Sequence, residues 1–217
     1  MDTSALRAVT DDVGAQVSEM TVGDMAIRTT SGWGDLGDLY LAAVERNTRL
    51  TALLTGEELN SRRAAPMDRA SFPLVADQYG GGFEHRYRRS ADLLVAAFAG
   101  VLDTHRVVDL DGTHTTVRAL YDHAVRDAFL LTWNIATAID IRYQPRPDIV
   151  RGVVQTMLSD LEGCRSGNGS RRPRPTDGST PGPVSSRGWT AMSRVRWVSR
   201  SAQLFLRGRN RPLEPQA

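Results

Sequence analysis

The residues best suited to chemistry lie in "HAVRDAFLLTWNIATAID", residues 123–140. His123 and Asp127 stand four apart, so a helix places them on one face, one turn from each other. A carboxylate there orients the imidazole and raises its pKa, giving a general acid or base near neutrality. Asn134 is the candidate hydrogen-bonding orienter. The plainer alternative is a surface ion pair of small energy. A metal site rebuilt on His123 and Asp127 needs a third ligand, Asp38 or Glu45, and no motif supplies one. All 27 basic residues are arginine, which excludes Schiff-base chemistry and a phosphate-loop lysine from this chain. G-x-G-x-x-G, C-x-x-C, H-E-x-x-H and G-x-S-x-G are all missing from the sequence.

A helical scaffold must position these groups. Leu6, Val9, Val13 and Val17 recur at helical spacing over residues 4–17. Residues 29–33, "TTSGW", read as a turn. Residues 35–54 carry Leu36, Leu39, Ala43, Leu50, Leu53 and Leu54 on or near one face, with Gly56 as the stop. Residues 57–84, with Pro66, Pro73 and "YGGG", form a long connection that crosses the molecule or makes a lid. Glu84, His85, Arg86 and Arg88 would arm such a lid for an anionic substrate, or else simply solvate a loop. Residues 85–101 read as helix. An extended piece over 106–114 turns at Asp111-Gly112 and has little else to pair with. Thr113 is placed to cap a helix over 115–140, and Pro147 to open a last helix ending near 162.

Charge divides the chain. Residues 164–217 hold 11 of the 27 arginines and 2 of the 25 acids, Asp177 and Glu214, which leaves 16 arginines against 23 acids in residues 1–163. An acidic body therefore carries a basic tail. The Gly/Pro/Ser/Arg-rich texture after Gly163 predicts disorder, with 189–207 able to form a basic amphipathic helix. Trp189 and Trp197 among arginines suit nucleic acid or anionic lipid, yet the acidic body disfavours a nucleic-acid function. The single cysteine, Cys164, allows no internal disulfide. No apolar run reaches the roughly 18 residues of a membrane span, and "MDTSALRAVTDDVGAQV" lacks the regions of a signal peptide. The expectation is a cytoplasmic protein.

Two stretches resemble the DinB-like superfamily, particularly its actinobacterial branch of mycothiol-dependent maleylpyruvate isomerases. One is "SGW" (31–33) followed by "DLYLAAVERNTRLTALLTG" (38–56). The other is "RDAFLLTWNIATAID" (126–140). The resemblance spans residues 1–162 and implies an all-α four-helix bundle with a long crossover, followed by the tail at 163–217. It also implies a divalent metal held by a histidine of the second helix and by a carboxylate and a histidine, four apart, of the later long helix. In this sequence those positions fall on Ala42, Asp127 and Leu131, and the aspartate that often follows the family's tryptophan falls on Asn134. Alanine and leucine donate nothing to a metal, and a lone carboxylate holds zinc or nickel poorly against water. No metal and no cofactor are expected.

Ala42 and Leu131 would leave a partly filled apolar hollow, with Tyr40, Arg46, Trp133 and Asn134 as its neighbours. The resemblance thus implies a metal-independent relative of the mycothiol-dependent isomerases and transferases. It would bind or transform a small organic molecule, as an isomerase, transferase or cyclase-like enzyme or as an enzyme partner, in actinobacterial specialised metabolism. A homodimer or a heteromeric enzyme partnership is compatible with this reading. Two alternatives stand beside it. One is a non-catalytic binding or scaffold protein. The other is a metal-dependent thiol transferase or isomerase aligned in a different register.

Overall fold

The apolar repeat at residues 6, 9, 13 and 17 winds Ser4–Ser18 into helix α1, and all four side chains are buried. The computed structural model describes residues 1–29, 34–57, 68–76, 82–110 and 112–166, without the side chains of 75, 76 and 162–166. Helix α2 covers Leu36–Thr55. Asp35 caps it by accepting from the Asp38 amide, and the Asp38 carboxylate reaches back to the Asp35 amide. It stops at Gly56, whose φ of 72° lies in the left-handed region that glycine enters freely. A short helix α3, Phe72–Ala76, precedes α4, Gly82–Ala99. Strands β1 (Val107–Leu110) and β2 (Thr113–Thr116) lead into α5, Val117–Ala138. Pro147 opens α6, which runs to Ser166.

The described residues are thus mostly helical with one two-stranded sheet, and no described helix is long and apolar enough to cross a membrane. The chain divides into two compact units, Met1–Val153 and Val154–Ala217; the helix packing belongs to the first. Of the expected turn at 29–33, residues 30–33 lie outside the described residues. So do 58–67 and 77–81 of the long connection, and the expected tail and amphipathic stretch beyond Ser166.

Three local expectations are corrected. The extended piece pairs with its own continuation, Val107 opposite Thr116 and Leu110 opposite Thr113 in antiparallel register. Because β2 runs on to Thr116, the cap of α5 is Thr116, which accepts from the Ala119 amide, and Thr113 belongs to the strand. The long connection ends earlier than expected: residues 82–84 already belong to α4, so Glu84, like His85, Arg86 and Arg88, lies in its opening turns.

Helices α1 and α4 pack together, as do α1 with α5, α2 with α4 and α2 with α5. Their directions follow from the bonds between them. Arg7 pairs with Asp92 at 3.1 Å and Asp11 with Arg88 at 3.4 Å, so α1 and α4 are antiparallel. Tyr40 donates to the Phe83 carbonyl at 3.0 Å and Asn47 to Ser90 at 3.1 Å, so α2 and α4 are parallel. The Leu6 amide donates to the Tyr121 hydroxyl at 3.3 Å and Tyr143 to Asp12 at 2.9 Å, so the chain through α5 runs parallel to α1. Helix α2 therefore runs antiparallel to α5. A parallel pair of neighbours cannot be joined by a tight turn, because the chain must first travel back along about 30 Å of helix. Residues 57–81 supply that length between α2 and α4.

Small residues set two close approaches. A side chain at Gly14 would press on the Arg88 guanidinium, with a Cβ only 2.7 Å from its Cζ, so glycine lets Arg88 lie across α1. A Cβ at Gly37 would meet the Phe72 ring at 2.8 Å, so glycine lets that ring seat against the first turn of α2.

Candidate functional site

Asp127 is the centre of the site. Its position on α5 faces α2, and Arg46 of α2 donates Nη1 to its Oδ2. Arg126, the preceding residue, folds its Nε back onto Oδ1 at 2.8 Å. One carboxylate thus takes two guanidinium groups across the α2–α5 contact. Arg126 is buried, Asp127 is mostly buried, and the Arg46 side chain remains 32% exposed. Burial alone would push the Asp127 carboxyl up. The charges of Arg126 and Arg46, with the Arg126 hydrogen bond, outweigh it and hold the group below the usual carboxylate range.

His123 lies one turn before Asp127, half-buried, and its charge acts on Asp127 in the same direction. The sequence-predicted pair is therefore brought together, with Arg46 and Arg126 as the hydrogen-bonded partners of the carboxylate. Asp127 is ionised near neutral pH and neither arginine releases a proton there.

One turn beyond the Arg46–Asp127 bond, in the same direction along the two antiparallel helices, stand Ala42, four back on α2, and Leu131, four on along α5. Leu131 is buried and Ala42 half-buried. Asn134 is buried and donates its amide to the Leu130 carbonyl at 2.7 Å, so it turns back onto its own helix. Trp133 is half-buried and lies two turns from Arg126, on the adjoining face of α5.

Tyr40 is not brought to this group. It lies six residues before Arg46 and its ring packs edge-on against Phe83 at 5.3 Å and Phe72 at 6.3 Å. Its hydroxyl is spent on the Phe83 carbonyl, and burial raises its pKa further above the ordinary phenol value. Asp38 is occupied in the α2 cap and pairs with Arg69 at 2.9 Å, and Glu45 is exposed. Neither completes a metal set, and no three His, Cys, Asp or Glu side chains among the described residues converge as one. Of the residues expected to arm a lid, Arg88 bonds Glu84 at 2.6 Å and reaches Asp11, while His85 is exposed.

Sequence reasoning passed over four contributors. Arg126 was hidden by adjacency, since neighbours in a helix do not usually face each other. On the α4 side of Arg46 stand Asn47, Ser90 and buried Tyr87, whose pKa is raised by burial and moderated first by the charge of Arg46. The available signal was a polar side chain, Asn47, set among leucines on α2.

No family model, curated protein or solved structure matches this chain. A separate open cleft of about 580 Å³ lies near the C-terminal ends of α2 and α4, lined by Leu54, Ala97, Val101, Leu102 and Arg106 among others. It contains none of the residues grouped around Asp127.

Proposed function

We propose that the four long helices α1, α2, α4 and α5 form a four-helix bundle with a long crossover, and that the chain is a metal-independent relative of the DinB-like, mycothiol-dependent isomerases and transferases. In this reading it binds or transforms a small organic molecule where α2 meets α5. The observation that carries the reading is the Arg46–Asp127 bond between these helices. It sets Ala42 and Leu131 one turn away, the positions at which the resemblance expects the two missing histidines. Asp127 fixes the two guanidinium groups, His123 is the proton-exchanging group, and Leu131 and Trp133 give the site its apolar side. Leu131→Trp, which fills the hollow, tests this. Ligand-observed NMR with small neutral, cationic and anionic organic molecules should find binders to the native chain that Leu131→Trp rejects. Binders indifferent to that change, or no binder at all, would contradict it.

A second reading, a non-catalytic binding or scaffold protein, draws on Asn134 and Tyr40, whose polar groups are satisfied inside the protein. It expects the Leu131→Trp surface to hold a protein partner as well as the native one does.

A further inference from the structure

Arg46 is held by one hand only. Its Nη1 is fixed on Asp127, while its Nε is shielded from solvent and finds no acceptor among the described residues. A buried N–H without an acceptor is costly, so a charged donor in that state is expected to have an acceptor in the working protein. About a third of the Arg46 side chain is exposed while its Nε is covered, so a ligand reaches the Nε edge only as the side chains over it shift. The guanidinium is planar, and Nε with an adjacent Nη forms a fork that matches two oxygens of a carboxylate or phosphoryl group.

The surroundings admit an anion. On α5 stand Arg126 and His123, on α2 Arg49 follows Arg46 by one turn, and on α4 the neighbour is the Tyr87 phenol. Of the carboxylates on the packed elements, Glu84 of α4 and Asp11 of α1 are engaged with Arg88. Asp127 fixes the orientation of Arg46 before any ligand arrives, which reduces the ordering cost of binding.

Resting on the small-molecule reading above, we propose that Arg46 is the ligand-recognition residue and that the ligand is a small organic molecule bearing an oxyanion, a carboxylate or phosphoryl group, taken on the Nε edge of the guanidinium. The step is recognition alone, and no bond is made or broken.

The test is NMR of arginine Nε–H groups in the full chain, titrated at constant ionic strength with acetate, inorganic phosphate and, as the uncharged counterpart, acetamide. The Arg46 resonance is identified by its loss in Arg46→Lys. It should shift saturably with acetate or phosphate and stay still with acetamide, and the tighter of the two anions names the oxyanion class. If Arg46→Lys fails to fold, Asp127→Asn identifies the resonance instead, because removing its anchor displaces that signal alone with Arg126. An Nε signal that does not saturate, or that moves no more than those of surface arginines such as Arg7, would overturn the proposal. If neutral organic molecules bind and Leu131→Trp blocks them while acetate and phosphate do nothing, the anion assignment falls and the small-molecule reading stands. If no probe binds, both fall.

Discussion

At the scale of the residue, Asp127 shows how a carboxylate is fixed in a helical interior by arginines. Two guanidinium groups outweigh its desolvation. Removing the charge leaves Arg126 buried without this partner, so Asp127→Asn should destabilise the fold by about 3 kcal/mol, toward the low end for buried pairs because Arg46 is partly solvated. The folded-state pKa lies below the ordinary 3.8. The pair's stabilisation is therefore full above that value and is lost as pH falls from it through the lower folded-state value. Denaturant melts of the native chain and Asp127→Asn across acid pH should converge at the acid end; parallel curves would contradict the linkage. Tyr40 makes the contrasting case. Tyr40→Phe leaves the Phe83 carbonyl without its donor and should cost about 1 kcal/mol, while leaving the Arg46 Nε response to acetate unchanged. A lost response would return Tyr40 to the site.

At the scale of the element, legibility followed locality. Helix α1, the Gly56 stop of α2 and the Pro147 start of α6 were readable because periodicity, a left-handed glycine and an N1 proline act within a few residues. The turn between the strands, described at Gly112, was equally readable, but its consequence was not: strand pairing is settled by a partner, and β2 uses three residues that spacing alone gives to the cap and helix. That correction is testable. Thr116→Ala removes the side-chain acceptor of the Ala119 amide and should lower stability by about 1 kcal/mol, whereas Thr113→Ala, exposed on the strand, should change it by less than about 0.5 kcal/mol. Equilibrium unfolding of both variants decides which threonine starts α5. The close approaches at Gly14 and Gly37 left no local signature, because each exists only against a side chain from another element.

At the scale of the whole molecule, the parallel pairing of α2 and α4 explains why a long connection separates them, and the antiparallel pairing of α2 and α5 explains why sites far apart in sequence face each other. Of the candidate site, the placing of His123 one turn before Asp127 on a single helix was legible from spacing, and the Arg46–Asp127 bond between α2 and α5 was visible only in the fold. The directions of α2 and Tyr40 relative to that bond were not legible either, since they depend on which face α4 occupies. Apolar burial within the first unit runs from Leu6 to Val153. A chain ending after Ser166 should accordingly keep a cooperative thermal transition; loss of cooperativity in calorimetry would show that the core needs residues 167–217. The proposed site depends on a register in which Ala42 lies across from Leu131 beside Asp127. Zinc titration of the double variant Ala42→His, Leu131→His measures it directly. Two imidazoles and the Asp127 carboxylate would then form a three-ligand set, so the variant should bind one equivalent of Zn²⁺ at least about a hundredfold more tightly than the native chain, a difference of about 2.7 kcal/mol. Affinity no greater than that of the native chain would contradict the register and, with it, the site.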